Sequence, residues 1–456
     1  MKDLRVLVVG MARSGIAVAK LLSRHGAIVR INDSKRAAEL GSALDELKEF
    51  ETIEWRLGEP AQDLLDGMDM LLISPGIPID HPVVLRAQEM DIQVTGELEV
   101  ALRLAMGKLI AITGTNGKTT TTTLVGEIMK NAGKLTHVVG NIGRAVSEIA
   151  FDSRPDDAIV CEVSSFQLET VRDLHPEIAA ILNISEDHLY RHHTMENYIA
   201  HKARIFANQD KNDVLVLNYD DPALREMAAL AKAKIAWFSR QNVVPFGAFV
   251  MGESIVFGGI DECRQICPIS EIALPGAHNL ENALAATAIA MAADVPPPVI
   301  RHTLRTFQGV EHRLELVREL DGVRYINDSK GTNVDSTTKA IEAMDRPTVL
   351  LLGGRNQNAQ FDQLAKVVSN GAIELVVLLG ETANEIEQAL IKAGFTNYTH
   401  AGYDLRKAVE LAQGLACSGM NVLLSPACKS FDMFSDFEER GKVFKHIVGE
   451  LGQLQA

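Results

Sequence analysis

The feature that most constrains this chain is the alternation of short apolar runs with helical segments along nearly its whole length. Val6–Val9, Met70–Ile73, Leu109–Thr113, Ala158–Val163, Ile178–Leu182 and Val214–Leu217 are such runs, as are Val349–Leu352, Leu375–Leu379 and Val422–Leu424. Each is a continuous β-rich stretch, too short for a helix and without the polar alternation of a half-exposed strand. That pattern predicts parallel sheets buried on both faces by helices, an α/β fold. No short fixed repeat is present, which excludes a solenoid.

At 456 residues the chain exceeds one ordinary core. Three sections each open with a strand running into a polar or Gly-rich turn. The predicted domains are 1–96, Rossmann-like; 97–309, a central sheet of the P-loop ATPase type; and 310–456, again Rossmann-like. Within the second, the stretch from Phe246 to Ile272 reads as short strands and turns, an antiparallel excursion. The net charge of −15 argues against a nucleic-acid partner. No apolar stretch approaches the roughly 20 residues that span a bilayer. The N-terminus enters a strand directly, and the five cysteines are scattered, so a reduced, cytoplasmic protein is expected.

The strongest local signal is Gly114-Thr115-Asn116-Gly117-Lys118-Thr119-Thr120, which follows a buried strand and opens a helix. Glycines let backbone N–H groups approach phosphate oxygens, and the helix N-terminus adds partial positive charge. Lys118 would reach terminal phosphates and the Thr119 hydroxyl could ligate Mg2+. The spacing departs from the usual loop, whose first glycine would fall at Ile112. Glu162 ends the next strand, as a metal-binding carboxylate or as a capping or ion-paired acid ahead of Ser164. His188, in Asn183-Ile184-Ser185-Glu186-Asp187-His188, lies just past another strand end, where ligands collect in parallel sheets. It reads as a metal ligand or phosphate contact, or as a structural histidine.

Gly10-Met11-Ala12-Arg13-Ser14-Gly15, with Asp33 ending the following strand, resembles a dinucleotide fingerprint with its ribose-binding acid. Ala12 stands where the middle glycine belongs, so a nucleotide other than NAD is favoured. Asn279 and Asn282, one helical turn apart, could read a base or ribose; Asn279 could equally cap a helix. In the last section, Asn327-Asp328-Ser329-Lys330-Gly331-Thr332 and Ser425-Pro426-Ala427-Cys428-Lys429-Ser430 are polar runs after buried strands. Lys202 by itself reads as a solvated helix residue.

As an ordered set spanning essentially the whole chain, these motifs, together with His312-Arg313, resemble the Mur ligase family. The resemblance implies an ATP-dependent ligase that activates a carboxylate as an acyl phosphate and joins it to an amine. The expected reaction adds D-glutamate to a UDP-linked muramoyl-alanine precursor of the cell wall. It implies a UDP-substrate site at Ser14, Gly15, Asp33, Ser34, Lys35, Gly76, Asn141 and Gln167. ATP falls on Gly114, Thr115, Asn116, Gly117, Lys118, Thr119 and Thr120, with Asn279, Arg313 and Asp328. Mg2+ falls on Thr119, Glu162, His188 and Lys202, the last carrying a carbamate; Lys118, His188 and Lys202 carry the catalysis. The amino-acid site is similar to Lys330, Thr332, Ser430 and Phe437. The implied partners are small molecules only, with no nucleic acid or membrane, and the chain is expected to be a monomer.

Two positions depart from the family pattern. Gln357 replaces a usual basic residue, leaving Arg355 or neutral hydrogen bonds to meet a glutamate carboxylate. Tyr190 stands where many relatives carry an acid. The competing readings are a sister ligase or folylpolyglutamate-type enzyme using another amino acid, an NAD-dependent oxidoreductase, and a non-catalytic nucleotide binder.

Overall fold

The computed structural model describes residues 1–40, 47–50, 52–356 and 359–452; Gln357 lies outside the described residues. The chain forms two compact units, Met1–Phe307 and Gln308–Ala456.

The first unit contains two sheets. The smaller is built from β1 (Arg5–Val9), β2 (Ile28–Asp33), β3 (Ile53–Leu57), β4 (Met70–Ile73) and β5 (Gln93–Gly96). Its order is β3-β2-β1-β4-β5, with every pairing parallel. The chain leaves β1 for β2 on one side and later returns to β4 on the other. The ends of β1 and β4 therefore flank the switch point where open α/β sheets hold ligands. Val9 pairs with Ile73, which brings Gly10 beside Ser74. A Cβ on Gly10 would lie 2.5 Å from the Ser74 oxygen, so only glycine lets these strand ends close.

The larger sheet comprises β6 (Lys108–Thr113), β7 (Thr136–Gly140), β8 (Ala158–Glu162), β9 (Ile178–Ile181), β10 (Val214–Asn218), β11 (Lys234–Ser239), β12 (Phe246–Met251), β13 (Ser254–Gly259) and β14 (Cys263–Pro268). The order is β14-β13-β12-β11-β10-β9-β6-β8-β7. Pairings from β7 to β12 are parallel; β12–β13 and β13–β14 are antiparallel, as the turn-rich sequence predicts. Central β6 and β8 are apolar and buried because helices cover both faces. One is Ala277–Ala292, apolar on every side at its centre, packed against helix Lys118–Asn131 and the sheet. Gly133, at φ +80°, ends Lys118–Asn131.

The second unit has one sheet: β15 (Glu315–Leu320), β16 (Val323–Asn327), β17 (Thr348–Gly353), β18 (Ile373–Leu379), β19 (Tyr398–Gly402) and β20 (Asn421–Leu424). The order is β15-β16-β20-β17-β18-β19, and only β15–β16 is antiparallel. Alternate residues of β17 feed two cores: Val349 and Leu351 on one face, Leu350 and Leu352 on the other. Leu351 is fully buried, so truncation to alanine costs about 2–5 kcal/mol. Among the described residues no helix is long and apolar enough to cross a membrane.

Candidate active site

Between β6 and helix Lys118–Asn131 the chain makes a tight turn through two glycines of positive φ. Gly114 and Gly117 have φ of +151° and +80°, and a Cβ on Gly117 would meet the Asn282 amide oxygen at 2.4 Å. The turn is clamped to the segment after β9. Asn183 accepts from the Asn116 N–H at 2.7 Å and donates to its carbonyl at 3.1 Å, while the Thr115 hydroxyl contacts Ser185 and Tyr198. Lys118 turns back on its own loop, donating to the carbonyls of Gly114 at 2.9 Å and Thr115 at 2.8 Å. Thr119 and Thr120 are buried in the first helical turn.

Three candidate groups come from separate elements: Glu162 at the end of β8, His188 after β9, and Lys202 on helix Met195–Ala203. Glu162, at the end of β8, is buried; one carboxylate oxygen accepts from the Asn141 side chain at 2.7 Å. The other oxygen is buried with no hydrogen-bond partner. An orphaned carboxylate oxygen is costly unless a cation completes it. Glu162 caps no helix: Ser164 does so, in a reciprocal capping box that occupies the Gln167 amide oxygen.

Lys202 departs from its reading as a solvated residue and is 1% exposed. Its helix, Met195–Ala203, buries Tyr198 and Lys202 on one side, a full turn apart. The Lys202 amine donates to the Gly114 carbonyl at 2.8 Å and lies 4.7 Å from the Tyr198 ring centre. Burial, reinforced by the Lys118 charge, drives its pKa well below the lysine range against the pull of Asp187. His188 adopts left-handed backbone, φ +53°, with its ring 4.8 Å from that of Phe166. Burial lowers its pKa while Asp187 opposes the shift, which favours the neutral imidazole. Tyr190 is exposed and stands edge-on to His188, 5.8 Å between ring centres.

At the switch point of the smaller sheet, Asp33 accepts from the Met11 N–H at 2.8 Å and the Lys35 N–H at 2.9 Å. Its oxygens thus hold the Gly10–Gly15 turn and the Ser34–Lys35 corner in place. A Cβ on Gly15 would overlap the Gly10 carbonyl, which explains that glycine. Gly76 has open space above it. Asn279 does not cap its helix; its amide donates to the Pro275 carbonyl at 2.8 Å.

In the second unit, Asp328 is buried and receives the Ser425 hydroxyl at 2.6 Å and the Leu314 N–H at 3.2 Å. Burial raises its pKa to about 6, against Ser425 and Arg313. The Lys330 amine lies 5.8 Å from the Phe437 ring centre, and Lys429 donates to Thr332 at 3.4 Å. Ser430 is buried beside them in sequence. Arg355 pairs with Glu381 at 2.9 Å on the surface. Arg440 escaped the sequence reading. Fully buried, it donates to the Ser329 hydroxyl and carbonyl and to the Cys428 carbonyl, joining the two polar runs. Its signal was faint: one arginine at helical spacing among apolar residues Phe437 and Phe444.

Parallel sheets with a glycine-lined strand-to-helix turn, a buried carboxylate and a histidine past the flanking strand ends define an α/β protein with the layout in which ligands collect. Three family models match in order: "Mur ligase MurD-like, N-terminal domain" over residues 4–96, "Mur ligase middle domain" over 112–290, and "Mur ligase, glutamate ligase domain" over 312–428. The chain belongs to the Mur ligase family. Relatives from Alkaliphilus oremlandii and Clostridioides difficile, both named UDP-N-acetylmuramoylalanine–D-glutamate ligase, are each 46% identical over 99% of both chains. Among solved structures, the UDP-N-acetylmuramate–alanine ligase MurC of Thermotoga maritima shares the fold, with TM-score 0.61 and 17% identity, covering 98% of this chain and 100% of that one. FolC of E. coli in complex with ADP gives a TM-score of 0.57 at 17% identity over 77% of this chain and 93% of that one.

Proposed function

We propose that this chain is an ATP-dependent ligase that adds D-glutamate to UDP-N-acetylmuramoyl-L-alanine through an acyl phosphate. The observation that carries this reading is the 46% identity, over nearly the full length of both chains, to ligases of that name. The domains divide the work as 1–96 for the UDP substrate, 97–309 for ATP and 310–456 for the amino acid.

The UDP-linked substrate lies on Ser14, Gly15, Asp33, Ser34, Lys35, Gly76, Asn141 and Gln167. Its alanine carboxylate attacks the γ-phosphorus of ATP; the new O–P bond forms as ADP departs. Gly114 to Thr120 cradle the phosphates, with Asn279, Arg313 and Asp328 at the adenosine. Lys118 exchanges its two loop carbonyls for phosphate oxygens and offsets charge developing on the transferred group. The amine of D-glutamate, held by Lys330, Thr332, Ser430 and Phe437, then attacks the acyl carbon; a C–N bond forms and phosphate leaves. Lys330 and Lys429, on the two polar runs after β16 and β20, are the cations assigned to meet the glutamate carboxylates, while Arg355 pairs with Glu381.

The orphaned Glu162 oxygen suits Mg2+, which Thr119, Glu162, His188 and a carbamylated Lys202 would hold. Bound there, the ion neutralises phosphate charge. A buried, neutral Lys202 amine is the form that attacks CO2, giving a carbamate and releasing a proton. The protein works as a cytoplasmic monomer on small molecules.

The test is ADP formation with UDP-N-acetylmuramoyl-L-alanine, screened against D-glutamate, L-glutamate, L-alanine and lysine. Turnover confined to D-glutamate is expected. Equal turnover with every amine, or none, refutes the reading.

A further inference from the structure

Arg191 sits one helical turn beyond His188 and is nearly buried, its side chain 9% exposed against 1% for its partner Glu169. The guanidinium uses its whole fork. Nε donates to both Glu169 oxygens at 3.0 and 3.2 Å, and Nη2 donates to one of them at 2.6 Å. On its other side Nη2 donates to the Ile77 carbonyl at 2.7 Å and the Pro75 carbonyl at 3.4 Å, while Nη1 reaches the Gly76 carbonyl at 3.4 Å. Its plane also lies 4.9 Å from the Phe166 ring centre, and Phe166 contacts His188.

One cation therefore gathers three segments. The first is the Ser74–Ile77 turn at the switch point of the smaller sheet, itself closed by an Ile77 N–H to Ser74 carbonyl bond. The second is the run from Glu162 to Glu169. The third is the His188 corner. A buried arginine with one carboxylate gives up hydration that only good geometry restores, so it is weak evidence for stability alone. Three backbone carbonyls converging on the same fork indicate that its placement serves the turn.

We infer that Arg191, anchored by Glu169, is a positioning residue that sets the register between the UDP-substrate turn at Gly76 and the phosphoryl-transfer centre at His188. This rests on the function proposed above. The substrate's UDP end sits at one side of the fork and its reacting carboxylate at the other. The fork thus fixes the span that the substrate must bridge. Misplacement by about 1 Å costs up to 100-fold in rate.

The experiment compares intact Arg191→Ala and Arg191→Lys proteins with wild type. It measures steady-state kinetics in each substrate, ADP affinity by calorimetry, and melting temperature. Arg191→Ala should lower kcat/KM for the UDP substrate about 10- to 100-fold, mainly through kcat, and leave ADP affinity unchanged. Arg191→Lys keeps the charge but cannot hold the carboxylate and three carbonyls together, so it should recover only part of the loss. Unchanged kcat/KM in Arg191→Ala overturns the inference, as does full activity in Arg191→Lys. A parallel fall in ADP affinity and melting temperature, matching the kinetic loss in both variants, reduces Arg191 to a fold element and also overturns it. Wild-type protein that forms no ADP with both substrates sinks the functional reading; wild-type turnover that Arg191→Ala leaves intact sinks this inference alone.

Discussion

Replacing Asp328 with asparagine isolates the contribution of one buried carboxyl to the second unit. The side chain is 4% exposed and accepts from Ser425 and Leu314, with Arg313 and Arg440 nearby. Burial outweighs these and raises the pKa from 3.8 to about 6. A raised acid pKa means that the folded state holds its proton more tightly than the unfolded chain. Stability from this group is therefore present below pH 3.8 and is lost as pH rises through about 6. The whole shift corresponds to about 3 kcal/mol, at 1.36 kcal/mol per unit. Between pH 5 and 7.5 the same relation gives a loss of about 1 kcal/mol. Asparagine has the same shape and does not titrate, and the Ser425 hydroxyl can turn to accept from its amide. Asp328→Asn should therefore gain about 1 kcal/mol on wild type as pH goes from 5 to 7.5. Urea unfolding followed by far-UV circular dichroism measures this; tryptophan fluorescence would miss it, because Trp55 and Trp237 both lie in the first unit. A flat difference, or wild type gaining on the variant as pH rises, would mean that arginine attraction outweighs burial, and the reasoning fails.

Three further outcomes are expected. Lys118→Ala should abolish amino-acid-dependent ADP formation, by about 1000-fold or more, with melting temperature retained; wild-type-like turnover contradicts the loop assignment. Gly117→Ala puts a Cβ 2.4 Å from Asn282 at φ +80°, so nucleotide affinity should fall and stability drop by about 1–3 kcal/mol, read by calorimetry and thermal melting. Wild-type activity in CO2-depleted buffer should rise on adding bicarbonate. Lys202→Arg, which cannot form the carbamate, should be inactive at every bicarbonate level, and a wild type indifferent to bicarbonate excludes the modification.

The strands were legible because each is an uninterrupted apolar run ended by turn residues; Leu109–Thr113 and Leu375–Leu379 admit no other packing. The strand-to-helix turn at Gly114 to Lys118 was legible for a related reason: two glycines stand between such a strand and the start of a helix. Lys202 was not. Its burial becomes visible only when Tyr198, four residues earlier, is placed on the same inward face. Asp33 reads as a ribose acid; its oxygens also accept from the Met11 N–H on the preceding turn and from the Lys35 N–H, bonds that spacing does not reveal. Arg191 and Arg440 escaped because each reaches a backbone carbonyl far along the chain, Ile77 for Arg191 and Ser329 for Arg440, which no local spacing announces.

The bonds from Lys118 to the carbonyls of Gly114 and Thr115 mean that the phosphate turn is self-satisfied before any nucleotide arrives. An entering molecule has to outbid two neutral oxygens for that ammonium. A bare nucleoside brings nothing that can, whereas a polyphosphate tail exchanges weak acceptors for full negative charges. On the proposed function, these two bonds favour a polyphosphate over uncharged adenosine ahead of any contact with the base.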